Sequence, residues 1–337
     1  MPGAEDGLAT IRRELRERGV EICLWSHAGT AHAAECAALL NGIDGHACKP
    51  DIVLDDEPTL TSTPLRVKPV PGESWPDLAK RVCRLAKVYD DLIEHVVTVQ
   101  KHVSATDAEH EALYSGNYCV QPIPFFGNVL QARILTVGVN PAESEFKGNR
   151  WPKKRLPAPE LTHRLLNYFQ EPQAFPHTWF WWWEEALQHA GYSYFNGTAA
   201  HVDISPRPTF PARQVGSDAF LNMVCGDLRI FRDLLLLCPD VKNLAWSGTV
   251  TNQFHMTSFI QESGPAHGLA IGHETDLRAL TPAFCKALAF SAANPSGHQR
   301  SWPVFYCSVG PSASRRELLV ERVRDYWGAF QEFSCHV

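Results

Sequence analysis

A chain of 337 residues, 45% hydrophobic and 20% charged, can bury a substantial core as one large or two ordinary globular domains. Its net charge of −6 argues against a general nucleic-acid binder, and the lack of any eighteen-residue apolar run excludes a hydrophobic spanning helix and a membrane partner. The start, Met-Pro-Gly-Ala-Glu-Asp, lacks the basic and apolar regions of a secretory leader, and the ten cysteines form no Cys-x-x-Cys pair, so a cytoplasmic chain with reduced thiols is expected, nucleoid-associated if prokaryotic.

The charge is unevenly spread. Residues 1–120 hold 19 acidic and 12 basic residues, and the remaining 217 hold 18 and 19. Lys147, Arg150, Lys153, Lys154 and Arg155 fall within nine residues that contain no acid, a concentration suited either to phosphates or to a solvated loop.

In chain order, Leu8, Ile11 and Leu15 share one stripe of an amphipathic helix over 8–19 that Gly19 ends. A short strand over 20–25 follows. Cys23, His27, His32, Cys36, His46 and Cys48 are close enough in sequence to raise a zinc site, but their spacing fits no closed pattern, and Ala-rich 32–40 reads equally as a helix with one buried cysteine. The six prolines of 50–76 indicate an irregular connection or a pair of edge strands. Leu78, Val82, Leu85, Ala86, Tyr89, Leu92 and Ile93 then recur at helical spacing, which places a helix from Ser74 or Trp75 to about Thr98.

Ile134 to Val139 is an apolar run rich in β-branched residues, a strand buried on both faces that Pro141 ends. Asn140 is thereby left at the carboxyl end of the strand, where open α/β sheets bind ligands. Gly138 would let a ligand approach the backbone, and the residues after Pro141 would present N–H groups to an anion. Further on, residues 178–190 read as a helix stopped by Gly191 and buried on more than one side, given its four tryptophans and a phenylalanine. Residues 199–205 form a second strand on which His201, Asp203 and Ser205 alternate to one side. A helix over 217–238, a third buried strand over 241–246, a strand over 287–293 running into Asn294-Pro-Ser-Gly, and an amphipathic helix over 314–330 complete the pattern. Strands alternating with helices favour a parallel sheet covered on both faces.

Two strand ends that each carry Asn-Pro, about 150 residues apart, would form one cleft if both turns sat at the same sheet edge. The motifs Gly138-Val-Asn-Pro-Ala142 and Asn294-Pro-Ser-Gly297 resemble those of the uracil-DNA glycosylase superfamily, within it the mismatch-specific uracil/thymine branch. Phe180-Trp-Trp-Trp with Ala190-Gly-Tyr, Asp203-Ile-Ser-Pro-Arg-Pro-Thr209 and Leu244-Ala-Trp-Ser-Gly248 stand between them in the family's order, so the resemblance covers roughly residues 121–330. It implies a three-layer α/β/α sandwich with a mostly parallel central sheet over 121–337; residues 1–120, where nothing matches the family, read as an acidic, mostly helical accessory region.

The resemblance also implies a monofunctional DNA N-glycosylase, without cofactor or metal, acting on a flipped-out uracil or modified pyrimidine in DNA, with double-stranded DNA the expected partner, to leave an abasic site. Asn140 would hold the attacking water and Asn294 would complete the catalytic pair. Gly138, Pro141, Ala142, His201 and Asp203 would bind the base, with Phe146 stacking on it in preference to Phe125-Phe126. Ser296, Gly297, His298, Gln299, Arg300, Lys147, Lys153 and Lys154 would contact DNA. His298 stands where the family has a leucine wedge, and Ala142 where it has a glycine. No lysine other than Lys147 lies near enough to serve as an amine nucleophile, and the iron–sulfur cysteine pattern of some branches is missing. The polar His201 and Asp203 suit a larger or more polar pyrimidine than uracil, which motivates an alternative: a defence enzyme excising hypermodified cytosine, such as glucosylated hydroxymethylcytosine, from phage DNA. A non-catalytic DNA-reading module is the second alternative, against which the retained Asn140 speaks.

Overall fold

The computed structural model describes residues 13, 23–24, 45–46, 52–54, 65–67, 74–110, 113, 121–141, 143–146, 151–152, 154–170, 178–209, 217–247, 249–251, 254–276, 285–307 and 316–335. The chain divides into two compact units, residues 1–91 and 92–337.

In the first unit, strands β1 (Cys23–Leu24) and β2 (Gly45–His46) pair in parallel, as do β3 (Ile52–Leu54) and β4 (Leu65–Val67). The proline-rich segment thus contains a strand pair. The side chains of the zinc candidates Cys23, His27, His32, Cys36, His46 and Cys48, and the helices expected over 8–19 and 32–40, lie outside the described residues, apart from helical Arg13.

Helix α1 (Trp75–His110) continues well past Thr98, where hydrophobic periodicity fades. Polar partners hold the added turns. Arg155 binds Ser104 and Asp107, and the buried Arg207 binds Thr106. Residues 92–110 belong to the second unit, where Val99 and Val103 pack with Ile230.

The second unit is mixed α/β around a seven-stranded sheet. Its strands are β5 (Phe125–Phe126), β6 (Ile134–Gly138), β7 (Ala199–Asp203), β8 (Asn243–Ser247), β11 (Leu269–Asp276), β12 (Cys285–Ala293) and β13 (Gln299–Cys307); β9 (Thr249–Thr251) and β10 (Phe254–His255) form a separate pair. The order is β11-β12-β13-β8-β6-β7-β5. The four inner strands β13, β8, β6 and β7 are parallel to one another, and β12 and β5 run the other way. Since β11 is antiparallel to β12, five of the seven strands point in one direction.

Five helices accompany the sheet among the described residues: α2 (Ala158–Leu166), α3 (Thr178–His189), α4 (Asp218–Leu237), α5 (Met256–Ser263) and α6 (Arg316–Ser334). Ser217 caps α4 by accepting from the Phe220 N–H. Phe231 of α4 meets Phe290, which in turn packs on Trp246, whereas Trp327 and Phe330 of α6 pack on Phe305. Phe305 pairs with Ala245, the neighbour of Trp246, so successive residues of β8 face different helices as strand alternation requires. The tryptophan-rich α3 is only partly core. Trp183 and Phe180 are buried, but Trp181 is 44% exposed and leans on the exposed Phe195.

The parallel register sets the two Asn-Pro turns apart. Gly138 lies at the carboxyl end of β6, level with Ser247 and Cys307 at the ends of β8 and β13. Asn294 to His298 is the hairpin between the antiparallel β12 and β13, and it precedes Gln299 at the opposite end of β13. At about 3.3 Å per residue, the length of β13 separates the two turns by roughly 25 Å. The expectation of one shared cleft is therefore corrected: the two turns occupy opposite edges of the sheet.

Candidate active site at the carboxyl edge of the central strands

Gly138 and Asp203 are register partners at the ends of β6 and β7. The chain continues from each end in parallel for two more residues, with Ile204 N–H donating to Gly138 O and Ser205 N–H to Val139 O. Asn140 then meets the turn after β7. Its Nδ2 donates to Thr209 Oγ1 at 2.8 Å and to Arg207 O at 3.1 Å, with a longer approach to Pro141 O at 3.4 Å. A carbonyl only accepts, so these contacts assign the amide without ambiguity: nitrogen towards the turn. Among the described residues nothing donates to Asn140 Oδ1.

The turn that holds Asn140 is itself clamped. Arg207 is fully buried and its Nε donates to Asp227 Oδ2 at 3.1 Å. Asp227, on α4, also accepts from Ser205 Oγ at 2.6 Å and contacts His102 Nε2 at 2.8 Å. The other end of the Arg207 guanidinium reaches Thr106 and the Val103 carbonyl of α1. A buried cation and anion that share several hydrogen bonds resist displacement, because separating them leaves an uncompensated charge. The position of Asn140 thus depends on residues that its own strand does not contain.

Next to Asn140 a chain of buried polar groups crosses β6 and β7. Tyr194 OH lies 2.6 Å from Thr136 Oγ1, Thr136 Oγ1 lies 2.9 Å from His201 Nδ1, and His201 Nε2 lies 3.2 Å from Asp203 Oδ1. Thr136 is the one partner of the Tyr194 hydroxyl among the described residues, and its own hydroxyl also reaches the Ala200 carbonyl at 3.4 Å. The two ring nitrogens of His201 thus bridge Thr136 and Asp203. Phe126, Trp179 and Phe180 surround the imidazole, with ring centroids 5.8, 4.6 and 5.3 Å away.

Asp203 is as buried as His201, and its Oδ2 has no hydrogen-bond partner among the described residues. Burial raises its carboxyl above the ordinary value, and His201 only partly opposes this. Burial likewise pushes the Tyr194 phenol well up, so it keeps its proton.

The remaining sequence candidates divide clearly. Pro141 and Phe146 are buried, Phe146 beside Trp151 at 6.4 Å, and Phe125 and Phe126 are buried in β5 at the edge of the sheet. Ala142, Lys147 and Lys153 lie outside the described residues, and Lys154 is exposed. Arg155 of the basic run is engaged by Ser104 and Asp107.

At the opposite edge, Asn294, Ser296, Gly297, His298, Gln299 and Arg300 are not brought to Asn140. Asn294 Oδ1 accepts from Ser296 Oγ at 2.7 Å and from the His298 N–H at 3.0 Å, and Gly297 has φ +86°. That is turn chemistry. Arg300 serves the fold: its guanidinium donates to the Cys238, Pro239 and Val241 carbonyls after α4 and lies over the Trp302 ring at 5.0 Å. Sequence reasoning missed Thr136, Tyr194, Arg207, Thr209 and Asp227 as supports of the site. The Asp203-Ile-Ser-Pro-Arg-Pro-Thr209 run contained a signal, since a lone arginine between prolines amid apolar strands calls for a buried acidic partner.

No helix of the described residues is long and apolar enough to cross a membrane, and among them no group of three metal-ligating side chains occurs. No protein-family model, curated protein or solved structure matches the chain.

Proposed function

We propose that residues 92–337 form a three-layer α/β/α hydrolase that cleaves the N-glycosidic bond of a pyrimidine extruded from DNA, leaving an abasic site. The observation that carries the reading is the fixed amide of Asn140. With Nδ2 tied to Thr209 and the Arg207 carbonyl, Oδ1 is an oriented acceptor at the carboxyl end of the central strand. Such an acceptor can hold a water by one of its hydrogens and aim its oxygen at an anomeric carbon.

Breaking the bond builds positive charge on the sugar and negative charge on the base. A cationic sugar reacts with a weak nucleophile provided it is aimed, so orientation by an amide suffices where deprotonation is not needed. His201 and Asp203 stand beside Gly138 as the polar groups nearest the departing base. Lys154, with Lys147 and Lys153 adjacent in sequence, would meet phosphates. The hairpin 294–298 has no part in this reaction.

The test is base release from labelled duplexes carrying uracil, thymine opposite guanine, cytosine, or hydroxymethylated and glucosylated cytosine, with abasic sites revealed by alkali. Release by the wild type that disappears in Asn140→Ala is the expected result. DNA binding without release from any duplex would instead support a reading module.

A further inference from the structure

Resting on that reading, we propose that Asp203 is the general acid of the reaction: its carboxyl proton passes to ring N3 of the departing base, and the substrate is a 4-aminopyrimidine of the cytosine type. The geometry comes first. Asp203 Oδ1 lies 3.2 Å from His201 Nε2, while Oδ2 is buried with no partner among the described residues. A buried carboxyl oxygen without a partner is costly unless a ligand supplies one. Asn140 lies two residues beyond Gly138, the register partner of Asp203, about 8 Å between Cα atoms from strand spacing and rise. One pyrimidine ring spans that interval, with its glycosidic carbon towards Asn140 and its N3 edge towards Asp203.

The charge state agrees with this placement. The groups that act on Asp203 are His201 on its own strand and, behind it, Tyr194, which itself senses Glu184 of α3; β6 contributes only Gly138 and Thr136. Burial, the largest influence on Asp203, favours the protonated carboxyl, and His201 opposes it only in part.

Uracil leaves as an anion spread over two carbonyl oxygens, and its N3 already carries a hydrogen. A 4-aminopyrimidine has one carbonyl, leaves poorly as an anion, and carries a lone pair on N3. The protonated Asp203 complements that edge: Oδ2–H donates to N3, and Oδ1, which has a second lone pair, accepts from the 4-amino group. As the C1′–N1 bond breaks, its electron pair passes to the base and the Asp203 proton bonds to N3, so the base departs neutral. The water oxygen bonds to C1′ and releases one proton to solvent, which restores the Asp203 carboxyl.

The experiment compares wild type with Asp203→Asn, which keeps the acceptor for His201 and a donor at the Oδ2 position but has no proton to transfer. Single-turnover release is measured on duplexes bearing cytosine, 5-hydroxymethylcytosine or uracil, alongside DNA affinity and the infrared carboxyl band that wild type has and the variant lacks. The expected result is a loss of about 10²- to 10⁴-fold in release of 4-amino bases at unchanged affinity, with a protonated carboxyl band in the wild type at neutral pH. Release by the variant within about threefold of wild type, or an ionised Asp203 at neutral pH, overturns the proposal. Release of uracil alone leaves the glycosylase reading standing and overturns the substrate class. If the wild type releases no base at all, the parent reading fails and this one falls with it.

Discussion

A methyl group placed on Gly138 would sit 2.3 Å from Asp203 Oδ1 and 2.9 Å from the His201 ring. The glycine is therefore required by side chains of the neighbouring strand, which occupy the space beside its backbone. Gly138→Ala should destabilise the protein by roughly 1–3 kcal/mol through overpacking. Because the closest clash is with the Asp203 carboxylate, the cost should shrink in an Asp203→Ala background, the part due to the His201 ring remaining. A double-mutant cycle by urea denaturation measures that coupling, and additive single-site effects would show that the two side chains do not compete.

The orientation of Asn140 yields a second expectation. Thr209→Val removes the acceptor at 2.8 Å and leaves Nδ2 held by the Arg207 carbonyl. The amide can then swing. Base release should fall by about 10- to 100-fold, as expected for misplacement of a reacting group, while DNA affinity stays unchanged. Thr209→Ser should recover most of the loss. A Thr209→Val variant with full kcat would mean that the hydroxyl does not position the amide.

Asp227 connects Ser205, Arg207 and His102, so its removal should do more than its distance from Asn140 suggests. Asp227→Ala removes the nearer of the two carboxylates at the buried Arg207 guanidinium, the other being Asp107 Oδ1 at 3.6 Å from Nη1, and should cost up to about 3–5 kcal/mol. A thermal melt reads this directly. An Asp227→Ala, Arg207→Met double variant should recover part of that loss, since the buried guanidinium that lost its nearer carboxylate is gone.

The contrast between the two Asn-Pro turns shows what the sequence could convey. The run from Ile134 to Pro141 was legible because a buried parallel strand is uniformly apolar and a proline ends it, and both properties are local. Asn294-Pro-Ser-Gly297 is just as local, but its meaning is not unique. Asparagine first, proline second and a left-handed glycine last also describe a tight hairpin turn, which its hydrogen bonds and the +86° φ of Gly297 support. Strand direction decides between the two readings, and direction depends on pairing between β12 and β13 that no short window contains. The same limit hid the last turns of α1, whose hold on Arg155 and Arg207 is long-range in sequence. Trp181 was misjudged for the opposite reason: a helix rich in aromatics can still leave one on the surface beside Phe195.

That correction is testable at Gly297. A Cβ there meets nothing within 4 Å, so the cost of Gly297→Ala comes from its backbone conformation, about 1–2 kcal/mol. Stability should fall by that amount, while base release and DNA affinity remain at wild-type values. A selective loss of DNA affinity in Gly297→Ala would return the hairpin to the DNA-binding surface.

Acid should act on the fold through His95. It is buried with Nε2 unpartnered among the described residues, and burial lowers its imidazole from 6.5 to about 4 against the opposing pull of Asp233. A base with a depressed folded-state value binds its proton more readily when unfolded. Its stabilising contribution is therefore fully present above pH 6.5 and is lost as the pH falls through about 4. Across that window the loss is on the order of 3 kcal/mol. His95→Leu, which cannot charge, should flatten this part of the profile in urea titrations between pH 7 and 4, leaving the carboxylates to account for any remaining slope. An unchanged slope in His95→Leu would show that the imidazole takes up its proton without unfolding.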